Sequence, residues 1–269
     1  MGAMTTRRRI TRVTAESSAE IVDDVVLESP LTIALGGLAL ATTMRTPGHD
    51  LELVAGWLMA EAGVVTATDI VTMGAFTASG DDDVDTVRVA LAGHVIPPEP
   101  RALLTSSSCG VCSSRLVTGV RVPHPALHSP GWSVTREALL GAPELMLAGQ
   151  RTFARTGGLH AAAVLDPGGR VAVVREDVGR HNAVDKVMGH CLLDERVPLT
   201  DHLLVVSGRV SFEIVQKALA AGVAGIVAVS APSSLAVDLA REHRLLLVAF
   251  CRNGGMNLYS EVEAVRVPS

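Results

Sequence analysis

From position 203 onward the chain alternates short, wholly apolar runs with longer amphipathic ones, and this alternation restricts the possible folds more than any other feature. The runs 203–206, 226–229 and 245–250 read as strands, and 212–221 and 235–243 as the helices between them. Strands that are apolar on both faces belong inside a sheet covered by helices, and the strand-helix-strand succession makes neighbours parallel. Just upstream, 159–165 and 170–176 read as adjacent strands joined by the turn Asp166-Pro167-Gly168-Gly169, with a helix following over 181–193. The fold class is α/β.

The first half is less regular. Between 20 and 43, β-rich runs are punctuated by Ser29-Pro30 and Gly36-Gly37, which predicts two or three antiparallel strands. A helix is expected over 50–62, where Leu51, Val54, Leu58 and Ala62 recur at helical spacing behind acidic first-turn residues. A strand is expected over 86–91, after the acidic turn Asp81 to Asp83. The prolines at 97, 98 and 100, and again at 123, 125 and 130, mark candidate boundaries. The division that follows is a flexible arm over 1–19, a lobe over 20–130 and a core over 131–269. The basic cluster Arg7, Arg8, Arg9 and Arg12 falls in the arm and reads as a solvated segment.

Composition excludes several functions. A net charge of −5 gives no overall attraction for a phosphate backbone, and 3% aromatics supply few stacking platforms, so nucleic acid is not the expected partner. The longest apolar run, 245–251, stops at Arg252, far short of a membrane span. Four cysteines are too few for a disulfide scaffold, and no secretory leader is read at the start. A reducing compartment, the cytoplasm, is expected.

Right-handed crossovers deliver the carboxyl ends of parallel strands to one edge, and ligands bind in the crevice there. The tails at that edge are Ser207-Gly208-Arg209, Ser230-Ala231-Pro232-Ser233 and Cys251-Arg252-Asn253-Gly254-Gly255. Glycine admits a ligand close to the backbone, hydroxyls and helix amino termini satisfy phosphate oxygens, and arginine supplies a charged fork. An anionic, phosphate-bearing ligand is expected. The plainer alternative is that Gly and Ser simply make tight strand-to-helix turns.

Cys109 and Cys112 form a CxxC pair in a stretch of Ser, Gly and Thr that lacks apolar anchors, which is the setting of a reactive thiol and not of a packed one. A free thiol is only about 3% ionised at neutral pH, so a nucleophile there needs a cation such as Arg115, a helix start or a second thiol. One reading is a sulfur relay, with a persulfide on Cys109 that Cys112 supports either by hydrogen bonding or by closing a disulfide on release. A second is structural zinc, since His124-x3-His128 follows the pair at finger-like spacing, though Pro123 and Pro125 oppose the helix a finger needs. A third is a zinc deaminase, but His160 is followed by Ala162 where the proton-shuttling Glu belongs. Cys191 reads as a packing residue. Cys251 ends a buried strand yet faces the expected crevice.

The string Arg175-Glu176-Asp177-Val178-Gly179-Arg180-His181-Asn182 concentrates titratable groups before a helix, and Arg180 with His181 at its start is a candidate anion site. Helix capping by Asp177 and Asn182 is the alternative. Glu213 and Lys217, four apart, read as a helix-face ion pair.

The segment from Thr105 to Cys112, Thr156-Gly157-Gly158-Leu159-His160, the run from Glu176 to Lys186, Ser207-Gly208-Arg209 and the turn 250–255 together resemble the FdhD family, the sulfur carriers of formate dehydrogenase. Several motifs in one order, spanning nearly all of the chain after about residue 20, are far more specific than a lone CxxC. The resemblance implies a fold similar to cytidine deaminases, a mixed sheet flanked by helices with a smaller N-terminal α+β lobe. It implies sulfur accepted from a cysteine desulfurase as a persulfide on Cys109. That sulfur would pass to the molybdenum cofactor, bis(molybdopterin guanine dinucleotide), before its insertion into formate dehydrogenase, with GDP as a mimic. Phe250, Cys251, Arg252, Asn253, Gly254 and Gly255 correspond to the cofactor-binding segment, and Cys112 to the second loop cysteine. No resident metal is implied, and a homodimer is. A cofactor-binding chaperone without sulfur transfer and a zinc-stabilised interaction module are the competing functions.

Overall fold

The computed structural model describes residues 4–77, 84–100, 104–105, 123–124 and 126–266; Cys109, Cys112, Arg115 and the turn Asp81 to Asp83 lie outside them. The chain opens with an antiparallel hairpin, β1 (Thr5–Val13) against β2 (Ser18–Val26), in which Arg7 stands opposite Asp24 and Arg8 opposite Asp23. Within the flexible arm expected over 1–19, residues 5–13 therefore form a strand, and the boundary at 19 falls inside the hairpin. Opposite charges directly across a ladder favour pairing, and they do so without burying either face.

Two further strands, β3 (Ser29–Leu35) and β4 (Leu38–Arg45), form the next hairpin, turning through Gly36 and Gly37 at φ 55° and 88°. Positive φ at both turn positions matches the twist of the flanking strands. Helix α1 (Asp50–Ala62) occupies the expected span, with Asp50 and Glu52 in its first turn and Gly63 in the left-handed region at its end. After it come β5 (Ile70–Phe76), β6 (Asp85–Leu91) and the short β7 (Leu104–Thr105), giving a sheet ordered β5-β6-β3-β4-β7. Of the strands expected between 20 and 43, only β3 and β4 pair with each other.

The short β8 (Val134–Thr135) leads into α2 (Arg136–Ala148), which turns Leu139, Ala142 and Met146 inward, and α3 (Phe153–Thr156) follows. The sequence reading assigned no helix to 136–148, and Pro143 inside it is the reason. Proline has no N–H to give the carbonyl four residues back, that of Leu139. The buried Cys251 thiol donates to that oxygen instead, at 3.2 Å, which offsets part of the loss.

The rest of the chain is β9 (His160–Leu165), β10 (Val171–Asp177), α4 (Arg180–Leu193), β11 (Leu203–Val206), α5 (Phe212–Ala221), β12 (Gly225–Ala228), α6 (Ser234–Glu242), β13 (Leu246–Arg252), β14 (Gly255–Ser260) and β15 (Val265–Arg266). Six of these strands form one sheet in the order β10-β9-β11-β12-β13-β14, and β15 pairs with β8. Only β11, β12 and β13 run parallel; β9 joins β11 and β14 joins β13 antiparallel, so the sheet is mixed.

Side chains alternate across this sheet. Ala162, Val164, Leu204, Val206, Ile226 and Leu247 enter one apolar cluster with α1, α4, α5 and α6, while Ala161, Ala163, Leu203, Val205, Val227 and Val248 enter another with α2. Each such buried Val, Leu or Ile contributes about 1.5–3 kcal/mol, and each alanine less. The first cluster also takes in Leu31, Ile33, Leu53 and Val87, so the N-terminal lobe and the core share one interior. Helices α1 and α4 cross where Gly56 faces the backbone of Asp185 and Gly189 faces that of Glu52; a Cβ on either would overlap the opposing helix. That close approach fixes α1 onto the core.

Candidate functional site

A crevice of about 650 Å³ opens at the carboxyl ends of β11, β12 and β13, where the parallel topology places it. Ser207, Val229, Cys251, Arg252 and Asn253 line it from the strand ends, His160 from the start of β9, and Glu144, Met146, Leu147, Gln150 and Phe153 from α2 and the turn into α3. Of the predicted ligand segment, then, Ser207, Cys251, Arg252 and Asn253 reach the crevice. Phe250, Gly254, Gly255, Gly208 and Arg209 are not among the lining residues. The reason is local: β13 and β14 shift register between Ala249 and Arg252, and Phe250, Asn253 and Gly254 all take positive φ. That irregularity turns Arg252 and Asn253 toward the crevice, with the Arg252 guanidinium 5.6 Å from the Phe250 ring centroid.

Cys251 lines the crevice but does not serve it as a nucleophile. Its side chain is buried, and burial, with a smaller contribution from nearby Glu144, pushes its thiol up to about 11. Cys191 is likewise buried in the core, with its thiol held up to about 11 by burial. Neither is a thiolate at neutral pH. Among the described residues, no group of three or more His, Cys, Asp or Glu side chains is arranged to hold a metal ion. His124 and His128 are not helical; His124 Nε2 donates to the Ala220 carbonyl at 3.1 Å and His128 stacks on Trp132.

At the β9–β11 end, Ser207 Oγ accepts the Ala161 N–H at 2.9 Å and lies 3.4 Å from His160 Nδ1. Burial, and then the Arg180 guanidinium, hold His160 below its ordinary pKa, so it is neutral near pH 7. A Cβ on Gly208 would sit 3.3 Å from both Arg180 Cβ and His160 Nδ1, a tight contact that a larger residue would relieve only by shifting these side chains. Ala162, where a deaminase carries its acid, is fully buried in the core.

The charged string before α4 is mostly structural. Lys186 and Asp177 form a fully buried pair at 2.7 Å, and Asp177 also accepts from Gly179 N, Asn182 Nδ2 and Thr46 N. Glu176 accepts the Thr152 and Phe153 N–H groups at the start of α3, and Arg175 grips Glu52 of α1 through two hydrogen bonds. His181 does not supply a cation: burial, and then Arg180, pull its pKa to about 3, and its Nε2 lies 3.2 Å from Ser211 Oγ. The expected pair of Glu213 with Lys217 is not formed either. Lys217 bonds Asp185 of α4 at 2.6 Å because both are buried between α4 and α5, while Glu213 faces His181 at 3.9 Å. Ser233 caps α6 by accepting the Ala236 N–H, the turn-forming role.

The model of the FdhD/NarQ family matches residues 26–266. The chain belongs to the FdhD/NarQ family. A relative named "Sulfur carrier protein FdhD" from Streptomyces coelicolor is 44% identical, covering 98% of this chain and 97% of its own. Relatives of the same name come from Mycobacterium tuberculosis, at 42% identity with 98% and 100% covered, and Sulfurisphaera tokodaii, at 36% with 96% and 98% covered. A crystal structure from Desulfotalea psychrophila, provisionally described as a formate dehydrogenase accessory protein, superposes with a TM-score of 0.80. It is 23% identical, and 98% of this chain and 100% of that chain are covered, which shows the shared fold.

In this FdhD/NarQ member, the two ends of the cysteine segment attach at different places. At its start, Leu104–Thr105 pairs with Thr42 and Thr43 of β4. Three residues on, the Thr46 hydroxyl accepts the N–H of Val178, a crevice residue. At its end, His124 rests on Ala220 and Gly222, where α5 finishes and β12 is about to begin, the sheet edge away from the crevice. Sequence reasoning missed the α2 side of the site altogether, although Leu139, Ala142 and Met146 recur at helical spacing.

Proposed function

We propose that this protein is a sulfur carrier that takes sulfur from a cysteine desulfurase as a persulfide on Cys109 and delivers it to bis(molybdopterin guanine dinucleotide) bound in the crevice, ahead of formate dehydrogenase. The observation that carries the reading is the crevice at the parallel strand ends, large enough for a nucleotide and lined by Ser207, Arg252, Asn253 and a neutral His160. Family membership supports the carrier role, and the pairing of Thr105 with Thr43, three residues before the Thr46 hydroxyl that bonds crevice residue Val178, supports an approach of the cysteine segment to that site. Arg252 supplies the charged fork for phosphate oxygens, and Ser207 and Asn253 supply neutral donors.

Within one delivery the two thiols of the pair supply the electrons, and a dithiol reductant of the thioredoxin type restores them afterwards. A Cys109 thiolate attacks the outer sulfur of the desulfurase persulfide, and the desulfurase cysteine leaves as a thiol. On release, the Cys112 thiolate attacks the inner sulfur of Cys109–S–SH, forming the Cys109–Cys112 disulfide and expelling hydrosulfide. The carried sulfur gains two electrons, and the two thiols lose them. Thioredoxin-type reduction of that disulfide resets the carrier.

Intact mass spectrometry after incubation with a desulfurase and cysteine tests this. A gain of one sulfur on the peptide containing Cys109, lost in Cys109→Ala, is the expected result. The Cys109→Ala variant should also leave formate dehydrogenase inactive in cells lacking the native protein, and full rescue by it would end the proposal. A chaperone without sulfur transfer would bind GDP, lose binding in Arg252→Ala, and carry no extra sulfur.

A further inference from the structure

Gln150 stands just beyond α2 and has its backbone fully engaged, its N–H donating to Leu147 and its carbonyl accepting from Ala154. The residue is 4% exposed and lines the crevice, yet among the described residues no hydrogen bond reaches its side-chain amide. Its amide is not one of the fully buried atoms left without a partner, so the little of it that is exposed faces the crevice, where a ligand can pair with it. Its neighbours in the crevice wall are Met146, Leu147, Phe153 and Leu159, which bound an apolar slot. Arg252 and Asn253 lie at the far end, with β9 and β13 three strand spacings apart, about 14 Å. The crevice thus has an apolar end with one amide that makes no hydrogen bond to the described residues and a polar end where Arg252 and Asn253 stand, with Glu144 near Cys251.

We propose that Gln150 reads the heterocycle of the bound ligand. Its amide N–H and C=O pair with the adjacent C=O and N–H of a lactam ring stacked in the apolar slot, while the phosphates extend toward Arg252. Guanine and pterin share that lactam edge. The inference rests on the crevice being the cofactor site, and it adds a residue that binds and positions the ligand without touching the transferred sulfur.

The test uses the full chain, with isothermal titration of GDP and of pterin-6-carboxylate into wild type and Gln150→Met, which keeps the side-chain length and removes the hydrogen bonds. The free variant should melt at or above the wild-type temperature, because the amide makes no hydrogen bond within the described residues and the replacement is apolar and of similar length. Affinity for one of the two ligands should fall at least tenfold, and which one falls identifies the ring. Unchanged affinity for both ligands overturns the inference. A lower melting temperature of the free variant together with weaker binding also overturns it, since the amide would then be supporting the fold. Failure of wild type to bind either ligand removes the cofactor-site reading itself, and this inference with it.

Discussion

The side chains around the crevice divide into those that build it and those that face into it, and the buried Lys186–Asp177 pair belongs to the first group. It ties α4 to the end of β10 and, through Thr46, to the end of β4. Removing one partner strands a buried charge, so Lys186→Met should destabilise the fold by about 3–5 kcal/mol, measured by urea unfolding. A loss under about 1 kcal/mol would mean that the pair is dispensable. Glu52 gives a pH signature. Burial works to raise its pKa, and hydrogen bonds from Arg175 and then His49 overcome that and bring it to about 2 from 4.5. A depressed carboxylate adds stability that is full above its unfolded-state value and is lost as pH falls toward the folded one. The difference in unfolding free energy between wild type and Glu52→Gln should therefore shrink between about pH 4.5 and pH 2. A difference that holds constant across that window would show that the ion pair contributes nothing.

Helix packing decides where the N-terminal lobe sits. The α1–α4 crossing is close because Gly56 and Gly189 carry no Cβ, and the atoms a Cβ would meet are backbone, which cannot swing aside. Gly56→Ala or Gly189→Ala should cost upwards of about 3 kcal/mol in chemical denaturation. Gly141→Ala in α2 is the contrast: nothing lies within 4 Å of the added Cβ, and the replacement should stabilise by about 0.5–1 kcal/mol. Equal effects at the crossing and at Gly141 would refute the packing argument. Helix α2 teaches a related lesson, because the Cys251 thiol answers the Leu139 carbonyl that Pro143 leaves without its helical donor. A cysteine that looks reactive at a strand end is thereby a packing and hydrogen-bonding residue.

Across the whole molecule, stability is unevenly distributed. Strands β11, β12 and β13 are buried on both faces over most of their length, whereas β1 and β2 are solvated on both faces and are tied down near α3 by Arg155 bonds to Thr5 and Asp24. Hydrogen exchange should show amides of 203–206 and 225–228 exchanging only through global unfolding and those of 7–12 exchanging orders of magnitude faster. Comparable protection in both would show that the hairpin is covered in solution. The strands from 203 to 252 and helices α1, α4, α5 and α6 were legible in the sequence, because apolar runs and helical spacing are local consequences of which face is buried. Three of the four crevice residues at the strand ends that the sequence singled out, Ser207, Arg252 and Asn253, face the ligand space with polar groups, because parallel topology fixes where strand ends go. The long-range partners were not legible: Lys217 with Asp185, Arg175 with Glu52, Cys251 with Leu139, and the α2 wall that brings Gln150 to the crevice. Periodicity along a chain records burial, and it carries no information about which distant group fills a given hydrogen bond. That choice is made only when helices and strands close on one another, and it separates the residues that hold this crevice together from those left free to meet a ligand.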